Sequence, residues 1–121
     1  MNKQEILEKA KSRVQKSEKV YISDWDCEVI VREINAKEYV DISSECLDNT
    51  GNDIDRKKYM NYMIISSLYS IDGERLFTND DINIIENMGA ESFAVIFQAV
   101  DKLNNLTGSN KNPKNLKKAA K

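Results

Sequence analysis

Ile71-Asp72-Gly73-Glu74-Arg75-Leu76-Phe77-Thr78-Asn79-Asp80-Asp81-Ile82 carries three structural signals in one short span. Asp72-Gly73 reads as a tight turn, because glycine accepts a positive φ and aspartate bonds back to nearby amides. Leu76-Phe77 is a short extended apolar piece. Thr78 then reads as an N-cap, with Asp80 and Asp81 in the first helical turn, where carboxylates suit the positive end of the helix dipole. Nothing in the stretch resembles catalytic machinery.

Downstream, the helix opened by Thr78 carries Ile82, Ile84, Ile85 and Met88 as its expected buried set. Gly89 is expected as the left-handed residue that closes it. A last helix starts near Ala90–Glu91. Phe93, Ile96, Phe97, Val100, Leu103 and Leu106 follow a 3–4 spacing and are expected to line one buried face. Thr107 to Asn110 ends it. Upstream, Asp53 is expected to start a helix running to about Leu68, with Ile54, Tyr59, Met60, Met63, Ile64, Leu68 and Tyr69 along it. This is the most apolar element and the expected centre of the core. Before it, Asn35 and Glu38 form the two ends of a capping box. That helix runs to about Leu47 and sets Tyr39, Ile42, Cys46 and Leu47 near one face.

The N-terminal third reads differently. Lys19 to Ile22 and Cys27 to Ile34 are β-rich runs broken by Ser23-Asp24-Trp25-Asp26, and a β-hairpin pairs them at least cost. Two strands are marginal alone, so helices must cover one face. Residues 2–17 suggest a helix with a thin apolar stripe of Ile6, Ala10 and Val14, expected to pack at the edge of its own domain. The fold class is therefore α+β, mostly α: an N-terminal helix (1–18), then a globular domain (19–107) with one β-hairpin and about four further helices. Residues 108–121 hold five lysines, the only proline and one large apolar residue. They cannot bury enough surface to offset ordering entropy and are expected to form a flexible basic tail.

Composition narrows the chemistry. The chain has 121 residues and a net charge of −2, but the charge is segregated. Residues 1–19 carry six Lys/Arg and three Glu, residues 20–107 seven Lys/Arg and seventeen Asp/Glu, and residues 108–121 five Lys and no acid. An acidic body with a basic tail is the outline. There is no histidine, which removes the usual general base and the commonest metal ligand. Cys27 and Cys46 form no CxxC pair and read as reduced structural thiols. The acid pairs Asp24/Asp26, Asp53/Asp55 and Asp80/Asp81 sit at turns or helix starts, where capping accounts for them. Asp48 to Asp53 is oxygen-rich, but with Asp48 first an EF-hand would need glycine where Asp53 stands and glutamate where Tyr59 stands. No phosphate-binding glycine loop is present. No catalytic residue, cofactor or metal is expected. The longest apolar run, Met63-Ile64-Ile65, is far too short to span a bilayer. Met1 to Glu5 lacks a signal peptide's apolar segment, so the expected location is the cytoplasm. The tail lysines could meet nucleic acid, but the tail has no aromatic residue for stacking and no arginine for reading guanine, and the acidic body would be repelled. Trp25 either folds over the hairpin edge, which the residues favour, or stands out as an anchor for a partner.

Taken in order, Val29-Ile30-Val31-Arg32-Glu33-Ile34, the helix capped by Asn35, Asp72-Gly73-Glu74-Arg75-Leu76-Phe77, Asp80-Asp81-Ile82, and a last helix ending Val100-Asp101-Lys102-Leu103-Asn104-Asn105-Leu106 resemble a known family. It is that of the tail assembly chaperones of long-tailed bacteriophages, including those of contractile prophages and phage-tail-like bacteriocins. The resemblance covers roughly residues 19–107; the N-terminal helix has no clear counterpart. It implies a non-catalytic protein that binds the tape measure protein, keeps that long helical chain soluble and helps recruit tail tube protein. It also implies absence from the finished particle and, in many members, a longer form made by ribosomal frameshifting, for which Lys117-Lys118 codons could supply a slippery run. Self-association as a homo-oligomer stays open. The rival readings are a small nucleic-acid-binding regulator using the basic tail and a structural tail or connector subunit. Holding an amphipathic helix calls for apolar grooves and adaptable side chains. Tyr59, Met60, Tyr62, Met63 and Tyr69 go most of the way round one helix. Tyr59, Tyr62, Met63 and Trp25 are the expected partner-binding residues.

Overall fold

The computed structural model describes residues 1–105. The expected basic tail and Leu106 lie outside the described residues. Within them the order is α1 (Lys3–Lys11), β1 (Ser17–Ile22), β2 (Cys27–Arg32), α2 (Ala36–Glu45), α3 (Arg56–Ser67), β3 (Leu68–Tyr69), a 3-10 turn (Asn79–Asp81), α4 (Ile82–Glu86) and α5 (Ala90–Asn104). The expected α+β class, mostly helical, with a hairpin and five helices, is what the structure shows.

The sheet is antiparallel in the order β1-β2-β3. Its register sets Val20 opposite Val29 and Val31 opposite Leu68. Period-two alternation then sends Val20, Ile22, Val29 and Val31 to one face, where all four are buried. Helices α5 and α3 cover that face. Ile64 and Ile65 of α3, Ile96 and Val100 of α5, and Leu68 of β3 meet the strands there, all without exposed surface. Each such side chain contributes roughly 1.5–3 kcal/mol by leaving water.

Caps explain where several elements begin. The Asn35 side-chain oxygen accepts from the Glu38 N–H at 2.8 Å, and the Glu38 carboxylate accepts from the Asn35 N–H at 2.9 Å. Thr78 Oγ1 accepts from the Asp80 N–H, and the Asp81 carboxylate accepts from the Thr78 N–H at 2.8 Å. Gly73 takes φ +90°, and its N–H donates to the Ser70 carbonyl, closing the turn that the Asp-Gly pair announced. That turn leads Arg75 back to bridge Tyr69.

Five expectations fail, each for a tertiary reason. The helix expected to run through Leu68 stops at Ser67, because Leu68 and Tyr69 pair with Val31 and Ile30 as a third strand. It also starts at Arg56 rather than Asp53: Ile54 bridges Leu47, and Asp55 supplies the cap to the Lys58 N–H. Gly89 does not close α4 in a left-handed turn. At φ −64° and ψ 145° it is the N-cap of α5. Ile84 is exposed rather than buried, and Phe93 and Phe97 are half-buried. Last, α1 ends at Lys11 instead of about residue 17, and none of its residues is buried.

Glu33 accounts for the last of these. It lies just past β2 with 7% of its surface exposed. Its carboxylate accepts from the Lys16 N–H at 2.8 Å and pairs with the Arg13 guanidinium at 2.7 Å. Its carbonyl accepts from the Gln15 side chain, and its N–H donates to the Lys16 carbonyl. Residues 13–16 are thereby drawn onto the end of the sheet and cannot continue the helix.

Candidate partner-binding surface

The turn between β1 and β2 is tied to the far end of the chain. Asp24 reaches the α4–α5 junction, where its carboxylate accepts from the Gly89 N–H at 2.7 Å and from the Ser92 hydroxyl at 3.0 Å. Ser23 Oγ lies 3.2 Å from Ser92 Oγ. Helix α5 has no capping side chain of its own, so Asp24 serves as its cap from a distant turn. Glycine suits the position: a Cβ would press on the Asp24 carboxylate at 3.0 Å.

This tie fixes Trp25, the next residue. Its ring packs against Phe77 with centroids 5.8 Å apart and planes tilted by 56°. Trp25 also lines a groove of about 390 Å³ with Val29, Ile71, Leu76, Phe77 and Ile84. Ile71 is 51% exposed, Ile84 44% and Leu76 36%. An aromatic pair surrounded by exposed aliphatic side chains is the usual composition of a protein-binding surface. Sequence reasoning missed Ile71, Leu76 and Ile84 as site residues. The available signal was the Asp-Gly turn, which doubles residues 71–77 back beside the hairpin.

The other expected residues lie elsewhere. Tyr59 and Met63 share a second cleft, between α3 and α5, with Phe97 and Val100. Met63 is its floor, 2% exposed. Burial pushes the Tyr59 hydroxyl above the ordinary tyrosine range, helped by the neighbouring Tyr39 and Cys46, so it stays neutral. Tyr62 lines a third, polar cleft with Glu38, Asp41, Glu45 and Arg75. Lys58 lies 5.7 Å from its ring centroid. The structure thus joins Tyr59 to Met63 and places Tyr62 and Trp25 on two separate surfaces.

Cys27 and Cys46 are free thiols, the first exposed and the second buried. The Asp48 carboxylate accepts from both the N–H and the hydroxyl of Thr50, which holds its pKa below the usual carboxylate range. Among the described residues no group of three or more cysteines and carboxylates is placed to hold a metal ion. No described helix is long and apolar enough to cross a membrane.

No family model matches the sequence, and no curated protein matches it. A solved structure does: the tail assembly chaperone of bacteriophage HK97, with a TM-score of 0.52 and 18% identity, over 83% of this chain and 99% of that one. The resemblance read from motif order over residues 19–107 therefore has a counterpart in three dimensions, and the chain has the fold of a phage tail assembly chaperone.

Proposed function

We propose that the protein is an assembly chaperone of a phage or phage-like tail. It binds the tape measure protein, keeps that long helical chain soluble, and helps bring tail tube protein to it. It works in the cytoplasm, takes no part in catalysis and is absent from the finished particle. The observation that carries this reading is the shared fold with the HK97 chaperone, which extends over almost the whole of that protein.

The surface supports it. A holdase must offer apolar area while staying soluble, and this body combines exposed isoleucines beside Trp25 with an excess of acids. Tyr59 and Tyr62 present half-buried rings on two further sides of α3, with Met63 beneath Tyr59. These clefts suit successive stretches of one amphipathic helix or neighbouring helices of one partner.

Co-expression with the tape measure protein tests the reading. The partner's soluble yield should rise, and the pair should co-purify. Apolar burial resists moderate salt, so the complex should persist at about 0.5 M, where surface charge pairs are screened. Failure to co-purify at low salt, with salt-sensitive binding of DNA by the protein alone, would replace the proposal with the nucleic-acid regulator. Recovery of the protein from purified particles would replace it with the structural subunit.

A further inference from the structure

We infer that the Trp25–Phe77 groove is the docking site for an amphipathic helix whose apolar stripe is edged with lysine or arginine. The inference rests on the chaperone reading and assigns it one surface and one partner chemistry.

The groove floor is apolar and held in advance. Asp24 pins the Trp25 turn to Gly89 and Ser92, so the indole is oriented before any partner arrives. Phe77 backs it, and the Thr78–Asp81 capping box fixes the chain that follows Phe77. A rigid aromatic anchor loses little conformational freedom on binding. Ile71 and Ile84 stand exposed at its margins. Together with Trp25 and Phe77 they offer an apolar surface of the kind that the apolar stripe of an amphipathic helix covers.

The edges carry charge of one sign. Glu28 is the charged side chain among those lining the groove. The two segments that build it, residues 24–29 and 70–84, contain seven acids against one base. Asp24 is committed to Gly89 and Ser92, Asp26 to the Tyr21 hydroxyl, and Asp81 to Thr78. The base, Arg75, faces the polar cleft beside Tyr62 instead. Glu28 at the groove, and Asp72, Glu74 and Asp80 on the segments that build it, remain. A helix with acidic flanks would bring like charges together, whereas one with basic flanks meets complementary charge.

The probe is a pair of synthetic helical peptides of about 18 residues, roughly five turns, with the same leucine stripe edged by lysine in one and by glutamate in the other. Trp25 is the only tryptophan, so its emission in the full-length protein reports occupancy of this groove. The lysine-edged peptide should change Trp25 emission and bind at least about tenfold more tightly than the glutamate-edged one at low salt, the gap narrowing as salt rises. Ile84→Asp should abolish the change in emission, with Ile71→Asp as a second variant should the first fail to fold. Both variants add negative charge. Unspecific attraction of a cationic peptide would therefore strengthen in them, whereas docking in the groove weakens.

Equal affinity for the two peptides, binding without a change at Trp25, or tighter binding to the aspartate variants would overturn the inference. So would concentration-dependent self-association abolished by Ile6→Asp, which would seat helix α1 of a second copy in the groove. If the tape measure protein co-purifies equally with wild type and Ile84→Asp, the groove assignment fails and the chaperone reading stands. If it co-purifies with neither, the chaperone reading fails.

Discussion

Glu33 is a buried carboxylate with a partner on each oxygen: the Lys16 N–H on one and the Arg13 guanidinium on the other. Burial alone would raise its pKa, but the Lys16 amide and the Arg13 guanidinium outweigh that, and it lies below the ordinary carboxylate value. A depressed folded pKa means that its stabilising contribution is fully present above the unfolded value of about 4.5 and is lost as pH falls through the lower folded value. Glu33→Gln keeps the shape and removes the charge. It should cost about 1–3 kcal/mol near neutral pH by chemical denaturation, with the difference from wild type shrinking in acid. An unchanged difference at low pH would mean that the charge is not what holds residues 13–16. Gly89→Ala provides the second residue-scale test. Its backbone is unstrained, so any cost comes from the Cβ pressing on Asp24. The variant should lose about 0.5–2 kcal/mol, the typical worth of a cap, and should red-shift Trp25 emission as the turn loosens. Stability and emission both unchanged would show that Asp24 does not anchor the turn.

Among the elements, the local signals were legible and the distant ones were not. Asn35–Glu38 and Thr78–Asp81 are capping boxes closed within one helical turn, so the sequence displays both partners. The turn at Gly73 was legible for the same reason. Strand β3 was not, because Leu68 and Tyr69 follow an apolar helix without a break and only the free edge of β2 makes them a strand. Gly89 was misread because its role is fixed by Asp24, remote in sequence. Helix α5 was read correctly in type and start, but it ends at Asn104 with a left-handed Asn105 rather than at Thr107, and the residues that matter most were not singled out. Ile96 is fully buried, whereas Phe93 and Phe97 stack on each other at its edge with centroids 6.3 Å apart. Ile96→Ala should therefore cost about 2–5 kcal/mol, and Phe97→Ala clearly less than the roughly 3–5 kcal/mol of a fully buried phenylalanine. The reverse order in denaturant unfolding would place the core on the wrong side of α5. Removal of residues 1–11 should leave the melting temperature within a few degrees, at about 4–8 °C per kcal/mol for a domain this small, since α1 buries nothing.

At the scale of the whole molecule, the sequence displayed its charge segregation and the order of its motifs, and the shared fold follows the latter. The candidate surface was only partly legible. Trp25 could be singled out by type, but its companions Ile71, Leu76 and Ile84 become a surface only once the turn and α4 are folded against the hairpin. Exposed isoleucines on an acidic body make sense if the missing apolar contacts come from a partner. The most direct test is a quantitative holding assay. Tape measure protein is diluted from denaturant into buffer at about 0.5 M salt, with increasing amounts of this protein, and the fraction remaining soluble is measured. The account predicts a soluble fraction that rises with the amount added and saturates at a defined ratio. A soluble fraction unchanged at every ratio would contradict it.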